Sequence, residues 1–133
     1  DELKDGDTIT LLKDITVDGA GKGNTQGVIT IDKDITLDGN GHKLSVENVM
    51  PDAADATKRA SVINIVSDAE VTVENLKIDA SGAKHGLNIN SGDVTVNNVT
   101  IENGMGYGIV CNSSTLDVNG LTTSNNGWGL ITA

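Results

Sequence analysis

Short runs of alternating apolar and polar residues recur along this chain at a nearly fixed distance. The segments Gly86-Leu-Asn-Ile89, Gly108-Ile-Val-Cys111 and Gly129-Leu-Ile-Thr132 begin 22 and then 21 residues apart. Alternation with a period of two predicts β-strands, and a fixed spacing near 22 filled with short strands is typical of a solenoid. Residues one period apart are therefore expected to be stacked neighbours.

Each repeat carries three such strands, with the apolar residues pointing inward. The first strands read Ile9-Thr-Leu11, Ile29-Thr-Ile31, Ile63-Asn-Ile65, Leu87-Asn-Ile89, Ile109-Val-Cys111 and Leu130-Ile-Thr132. The second strands read Ile15-Thr-Val17, Ile35-Thr-Leu37, Val71-Thr-Val73, Val94-Thr-Val96 and Leu116-Asp-Val118. The third strands read Leu44-Ser-Val46, Leu76-Lys-Ile78, Val99-Thr-Ile101 and Leu121-Thr-Thr123. We predict one all-β domain over residues 1–133, a parallel β-helix solenoid of about five to six coils with rungs ~4.8 Å apart.

The repeat is interrupted once. The step from Ile29 to Ile63 is 34 residues long, and the excess is an insertion at residues 47–61. Within it, Ala53–Ala60 is expected to form a helical turn or two. An insertion in a solenoid maps to a loop on one face, which is either a binding loop or a decorated turn.

The composition supports a stacked fold and excludes some partners. Phe is absent and Trp and Tyr occur once each, whereas Gly occurs 16 times; each coil of a solenoid buries its face on its neighbours and needs no thick core. The net charge of −10 argues against nucleic acid or an anionic membrane as partner. No transmembrane stretch is present, so no membrane insertion is expected. Cys111 is alone and is expected to be a small buried residue.

Two N-terminal stretches carry a family resemblance. The segment Asp5-Gly-Asp-Thr-Ile-Thr-Leu-Leu-Lys-Asp-Ile-Thr-Val-Asp-Gly19 and the later Leu37-Asp-Gly-Asn-Gly-His-Lys-Leu44 resemble the entry coils of pectin-lyase-like β-helix domains, as found in bacterial cell-surface and adhesin-like proteins. The resemblance implies a right-handed parallel β-helix and an extracellular location on a bacterial surface. Asn75 and Asn98 resemble the internal asparagine ladder of this superfamily. The abrupt ends at Asp1 and Ala133 lead us to expect a piece of a longer, secreted protein.

One column of residues stands out as a candidate binding site. Every aromatic ring of the chain, counting one of the two histidines, directly precedes a repeat glycine; the three positions are His85, Tyr107 and Trp128. In a solenoid they form a ladder that can stack against the apolar face of a sugar. The candidate polar partners in the same turns are Lys84, Asn103, Asn125 and Asn126. The alternative is that the rings stack on one another at a corner and only shield the glycines.

Catalysis has one weak candidate, the carboxylates of Asp79 and Glu102. Both follow a third strand and are expected on adjacent coils, where a separation of about 5 Å matches a retaining glycosidase. They could equally share a cation, raise each other's pKa, or form a solvated surface pair. The resemblance points away from hydrolysis, because superfamily hydrolases carry an Asp pair just before the first strand. The matching positions here contain no acid: Lys84-His85, Gly106-Tyr107 and Gly127-Trp128.

An acidic stripe flanks the second strands. The acids before the strand are Asp14, Asp34, Glu70 and Asp93, and those after it are Asp18, Asp38 and Glu74. Like charges at coil spacing repel, so adventitious Ca²⁺ could relieve them. The nonapeptide repeat of Ca²⁺-binding β-rolls is absent, and no cofactor is expected.

These observations favour a non-catalytic extracellular module of a bacterial adhesin-like surface protein. We expect it to act as a structural stalk, to bind a polysaccharide or host glycan, or both. The alternative is a polysaccharide lyase or glycoside hydrolase acting on acidic or plant polysaccharide. Open strand edges at the ends of the solenoid also predict end-to-end self-association.

Overall fold

The regular structure is entirely β-strand in the residues that the computed structural model describes, which are 4–22, 26–49 and 59–132. Twelve strands follow one another in these ranges. They are β1 (Asp7–Thr10), β2 (Ile15–Asp18), β3 (Gly27–Ile31), β4 (Ile35–Asp38), β5 (Lys43–Glu47), β6 (Ser61–Ile65), β7 (Ala69–Asp79), β8 (Leu87–Ile89), β9 (Gly92–Glu102), β10 (Tyr107–Cys111), β11 (Thr115–Ser124) and β12 (Trp128–Thr132).

Strands one coil apart pair in parallel, so the predicted all-β parallel β-helix is confirmed. The first strands form a five-stranded sheet in the order β12-β10-β8-β6-β3. In the register of that sheet, Ile63 pairs with Leu87 and Leu87 with Ile109. The predicted second and third strands form the other sheet, in which β7 pairs with β9 and β9 with β11.

The second and third strands are joined more closely than the sequence suggested. In β7, β9 and β11 they form one long strand that bends at Asn75, Asn98 and Gly120, whose φ angles are 52°, 54° and 90°. We call these three residues the asparagine bend. Asn98 Nδ2 donates to Asn75 Oδ1 over 3.1 Å. The expected hydrogen bond between the amides of adjacent coils is therefore present, but the ladder is not internal, since Asn98 is exposed. Leu76 and Val99, which follow the bend, are buried.

The interior is a stack of aliphatic side chains. Ile63, Leu87 and Ile109 are fully buried one above another, as are Val73 and Val96 on the neighbouring sheet. Branched apolar side chains at rung spacing fill this narrow space without aromatic rings, which explains a core built almost wholly from Val, Ile and Leu. Cys111 is buried opposite Ile89, as predicted.

The first coil is aligned differently from the prediction: its predicted first and second strands occupy the positions of a second and a third strand. β1 pairs with β4, so Ile9 lies beside Leu37, and β2 pairs with β5, so Ile15 lies beside Leu44. Alternating runs of three residues fit any strand position, and the turn length decides between them: four residues separate β1 from β2, and four separate β4 from β5. Asp14 and Asp18 therefore leave the predicted acidic stripe.

The predicted insertion lies where expected, because β5 ends at Glu47 and the next strand begins at Ser61. The helical turn predicted for Ala53–Ala60 falls mostly on residues 51–58, which are outside the described ranges. Within those ranges, no helix has the length and apolar character needed to cross a membrane.

Candidate functional site

The rings lie at the corner where each third strand turns into the next first strand. A Cβ added to Gly86 would overlap the Cγ2 of Ile101, and one added to Gly108 would lie 3.0 Å from the Cγ2 of Thr123. These glycines therefore face the third strand at a distance that leaves no space for a side chain. The residues before the three repeat glycines differ in exposure: His85 is buried, Tyr107 is partly exposed and Trp128 is exposed. We call His85, Tyr107 and Trp128 the aromatic corner.

The three rings contact one another in sequence, which both the predicted ladder and the alternative of mutual stacking at a corner require. The centroids of His85 and Tyr107 are 5.6 Å apart at 35°, and those of Tyr107 and Trp128 are 5.1 Å apart at 30°. These are favourable distances for offset aromatic pairs. Exposure increases along the stack: His85 is 9% exposed, whereas Trp128 is 64% exposed. In the part of the chain described, the outer face of Trp128 carries no further ring.

His85 anchors the buried end of the stack. Its Nδ1 accepts a hydrogen bond from the Tyr107 amide at 2.8 Å, which requires an unprotonated Nδ1. Gly106 covers the ring so closely that an added Cβ would lie 2.6 Å from Nδ1. Burial, together with the positive charge of Lys84, lowers the pKa of His85 to about 4. The ring is therefore neutral at pH 7 and behaves as part of the fold.

A chain of side-chain hydrogen bonds runs beside the rings. Asn125 Nδ2 donates to Asn103 Oδ1 at 2.8 Å, and Asn103 Nδ2 donates to Asp79 Oδ1 at 3.1 Å. We call these three residues the amide ladder. Sequence reasoning named both asparagines as polar partners of the rings but missed that they bond to each other and to Asp79. The spacings could have indicated these bonds, because Asp79 and Asn103 are 24 residues apart and Asn103 and Asn125 are 22 apart, close to the period of the solenoid.

Asp79 and Glu102 are direct neighbours in the register of β7 and β9. Burial pushes the pKa of Asp79 upward, but the Ser81 hydroxyl, the Asn103 amide and the Ser81 N–H outweigh it, and the pKa lies below its ordinary value. The Ser81 hydroxyl donates to Asp79 Oδ1 at 2.7 Å. Glu102 forms an ion pair with Lys77 at 3.3 Å. Each carboxylate therefore has its own local partners.

The two remaining candidate residues have different surroundings. Asn126 uses both ends of its amide within the fold: Oδ1 accepts from the Gly104 N–H at 2.7 Å, and Nδ2 donates to the Ile101 carbonyl at 3.0 Å. Lys84 is partly buried next to His85. A shallow surface depression of about 240 Å³ lies beside Trp128. Its lining residues are Thr123, Ser124, Asn125, Asn126, Gly127, Trp128 and Gly129.

Carboxylates near the second strands accept hydrogen bonds from backbone N–H groups. Asp34 Oδ1 accepts the Glu70 N–H at 2.7 Å, and Asp5 Oδ1 accepts the Asp34 N–H at 3.0 Å. Asp34, Glu70 and Asp93 stack on consecutive strands as predicted. Among the described residues, no group of three or more His, Cys, Asp or Glu side chains could hold a metal ion.

Comparison with known proteins agrees with this architecture. A family model described as a pectate lyase-like adhesive domain matches residues 4–131, nearly the whole chain. Searches of curated proteins and of solved structures gave no significant match. The family model spans every strand from β1 to β11 and all three rings of the aromatic corner. The chain belongs to the family of pectate lyase-like adhesive domains.

Proposed function

We propose that this chain is an adhesive module of an extracellular bacterial surface protein, and that it binds glycan at the aromatic corner. The observation that carries the proposal is that the ring stack of the aromatic corner lies beside the amide ladder. The family description as an adhesive domain supports attachment as the role. The net charge of −10 suits a solvated surface module and disfavours nucleic acid as the partner.

The aromatic residues of the chain are concentrated at this corner. The chain has no Phe, and its only Tyr and only Trp are both at this corner. Trp128 is 64% exposed and Tyr107 is partly exposed. A Trp ring flanked by polar side chains offers the mixed apolar and polar surface that is common at recognition sites. A pyranose matches it, since one sugar face is apolar and its hydroxyl groups require hydrogen-bond partners.

Cleavage of the glycan is not part of the proposal. A retaining glycosidase needs one carboxyl group that stays protonated near neutral pH, and this requires a raised pKa. The pKa of Asp79 is lowered instead, and Glu102 contacts Lys77. We expect no turnover of pectic or other plant polysaccharides. Turnover that is lost in Asp79→Asn or Glu102→Gln would support the lyase or hydrolase alternative.

Glycan arrays test the proposal directly. The wild-type chain is expected to bind at least one class of glycan, and Trp128→Ala or Tyr107→Ala should abolish that binding. Trp128→Phe keeps a stacking face and should retain part of it. Asn119→Ala is the matched control, because Asn119 bonds Asn97 in a separate amide pair of the same solenoid. Binding that survives both ring substitutions would reject the aromatic corner as the site.

Self-association is a separate proposal that rests on the sheet edges. β3 and β12 are the two edge strands of the five-stranded sheet. Unpaired N–H and C=O groups on edge strands can pair with another chain. Sedimentation velocity over a wide concentration range should therefore show dimers or longer stacks. A monomer at all concentrations would contradict the proposal.

A further inference from the structure

A depression of about 170 Å³ lies on the side of the solenoid, where the asparagine bend leads into the third strands. It extends over three successive coils, because its lining residues either precede β5 or belong to β7 and β9. These residues are Gly41, Asn75, Leu76, Lys77, Asn98 and Thr100. β5 also pairs with β2, and β9 also pairs with β11. Paired strands thus flank the depression in both directions along the solenoid, and its shape does not depend on an open edge.

Asn98 presents an unused acceptor in this depression. Its Nδ2 donates to Asn75 Oδ1 at 3.1 Å, so the amide of one coil donates to the coil before it. The register of β9 and β11 places Gly120 at the next position of the bend, and glycine has no amide side chain to donate. Asn98 Oδ1 therefore accepts no hydrogen bond from the described residues. A glycine inside a paired strand leaves this oxygen free.

Two hydrogen-bond donors border the same depression. The Thr100 hydroxyl has no partner among the described residues and can both donate and accept. Lys77 Nζ contacts Glu102 Oε1 at 3.3 Å, yet 48% of the Lys77 side chain is exposed, and an ammonium group has three hydrogens to donate. Because the carboxylate of Glu102 offsets the charge of Lys77, the depression does not favour an anion. Adjacent donors and acceptors match a sugar, whose neighbouring hydroxyl groups do both.

The depression and the aromatic corner lie at opposite ends of the same third strand. Thr100 of β9 is three residues before Asn103 of the amide ladder, a separation of about 10 Å at ~3.3 Å per residue. Thr100 and Glu102 are partly exposed whereas Ile101 between them is buried, so both polar side chains point outward. The carboxylate of Glu102 can accept a hydroxyl hydrogen. A short chain of sugar units along the strand would therefore meet polar groups over its whole length.

We propose that Lys77, Asn98 and Thr100 form a second sugar subsite, which we call the bend subsite. One glycan chain then runs along the third strands, from the bend subsite to the aromatic corner, and lies perpendicular to the axis of the solenoid. The inference rests on the proposed glycan-binding function of the aromatic corner. It adds the direction of the bound chain and the length that the chain must have to reach both sites.

Oligosaccharides of increasing length test the proposal. Disaccharides to hexasaccharides of galactose, mannose and glucose are titrated into the intact chain by calorimetry. In at least one series, affinity should rise about tenfold once the oligosaccharide reaches both sites, since about two further hydrogen bonds form. Beyond that length the affinity should stay constant, because no further subsite is engaged.

Thr100→Val removes the hydroxyl of the bend subsite and keeps a β-branched side chain of the same shape. It should lower the affinity of the longer oligosaccharides about fivefold, the effect of one hydrogen bond, and leave that of the disaccharide unchanged. Thr95→Val is the matched control and should change neither, because Thr95 is a partly exposed Thr of the same strand that lies before the bend. Asn98→Gly keeps the left-handed backbone found at Gly120 and should reproduce the loss.

The outcomes separate this inference from the proposed function. If affinity is independent of length, or if Thr100→Val and Thr95→Val have equal effects, while Tyr107→Ala still abolishes binding, the bend subsite is wrong and the aromatic corner stands. If no oligosaccharide binds, the proposed function fails and the bend subsite fails with it. Circular dichroism checks that each variant keeps its strands. Should Thr100→Val unfold, the comparison of Asn98→Gly with the wild-type chain decides.

Discussion

Two corners of the same solenoid are built from stacked asparagines, yet only one of them carries rings. At the asparagine bend, Asn75 and Asn98 adopt left-handed φ angles and one amide bonds the next. At the aromatic corner, Asn103 and Asn125 also have left-handed φ angles, 66° and 54°, and their amides stack in the same way. The rings of Tyr107 and Trp128 are therefore additional to what a turn of this chain requires.

The third residue of the asparagine bend shows that the turn does not require a side chain. Gly120 replaces the asparagine there with a φ of 90° and no side chain, and β11 continues through it. Backbone conformation thus makes the bend, and the amide stack adds to it. The difference between the two corners supports the proposal that the rings serve binding.

The largest expected effect concerns the glycines that place the rings outside. Gly86→Ala would force a methyl group into Ile101 and should lower the free energy of unfolding by roughly 3 kcal/mol, a typical cost of overpacking. Gly129→Ala is the matched control, because its added Cβ would meet only the Thr123 hydroxyl at 3.1 Å. Urea unfolding measures both. Equal losses would show that the close approach to the third strand does not set the geometry of the corner.

The buried end of the ring stack predicts a pH dependence of stability. The folded pKa of His85 is about 4 against an ordinary value of 6.5, so the unfolded chain binds more protons between these values. Stability should be full above pH 6.5 and should fall by at most about 3 kcal/mol as the pH drops toward 4. Asp79 has a lowered pKa as well, but its ordinary value is 3.8, so it acts at lower pH.

Urea unfolding at several pH values isolates the His85 contribution. His85→Gln keeps an acceptor for the Tyr107 N–H and removes the titrating group, so the slope between pH 6.5 and 4 should flatten. A slope that the substitution leaves unchanged would contradict the assignment to His85.

A smaller difference in stability is expected between substitutions in the two asparagine stacks. Asn98→Gly retains the left-handed backbone and loses one side-chain hydrogen bond to Asn75, whereas Asn103→Gly loses two, one of them to the ionised Asp79. A hydrogen bond to a charged group contributes about 1.5–3 kcal/mol and a neutral one about 1 kcal/mol. Asn103→Gly should therefore be the more destabilising by about 1 kcal/mol or more in urea unfolding. Equal costs would mean that the bond to Asp79 adds nothing.

The fold and the ring column could be predicted because both follow from spacing. Period-two alternation predicted the strands, and the 22-residue repeat placed His85, Tyr107 and Trp128 on consecutive coils. The first coil was misaligned because Ile15-Thr-Val17 fits a second or a third strand equally well. The pairing of β2 with β5 and the four-residue turn before each of them identify it as a third strand. The direction of the amide ladder depends on which atom of Asn103 faces Asp79, and spacing does not specify atoms.

The central claim is the proposal that the aromatic corner binds glycan through Trp128. Trp128 is the only Trp of the chain, so its fluorescence reports on this one position. Titration with soluble fragments of neutral galactan, mannan and glucan should shift its emission to shorter wavelength in a saturable way for at least one of them. Calorimetry of Trp128→Ala should show that this binding is lost, while the free energy of unfolding changes by less than about 1 kcal/mol. Calorimetric binding with an unchanged emission spectrum, or an unfolded Trp128→Ala variant, would contradict the account.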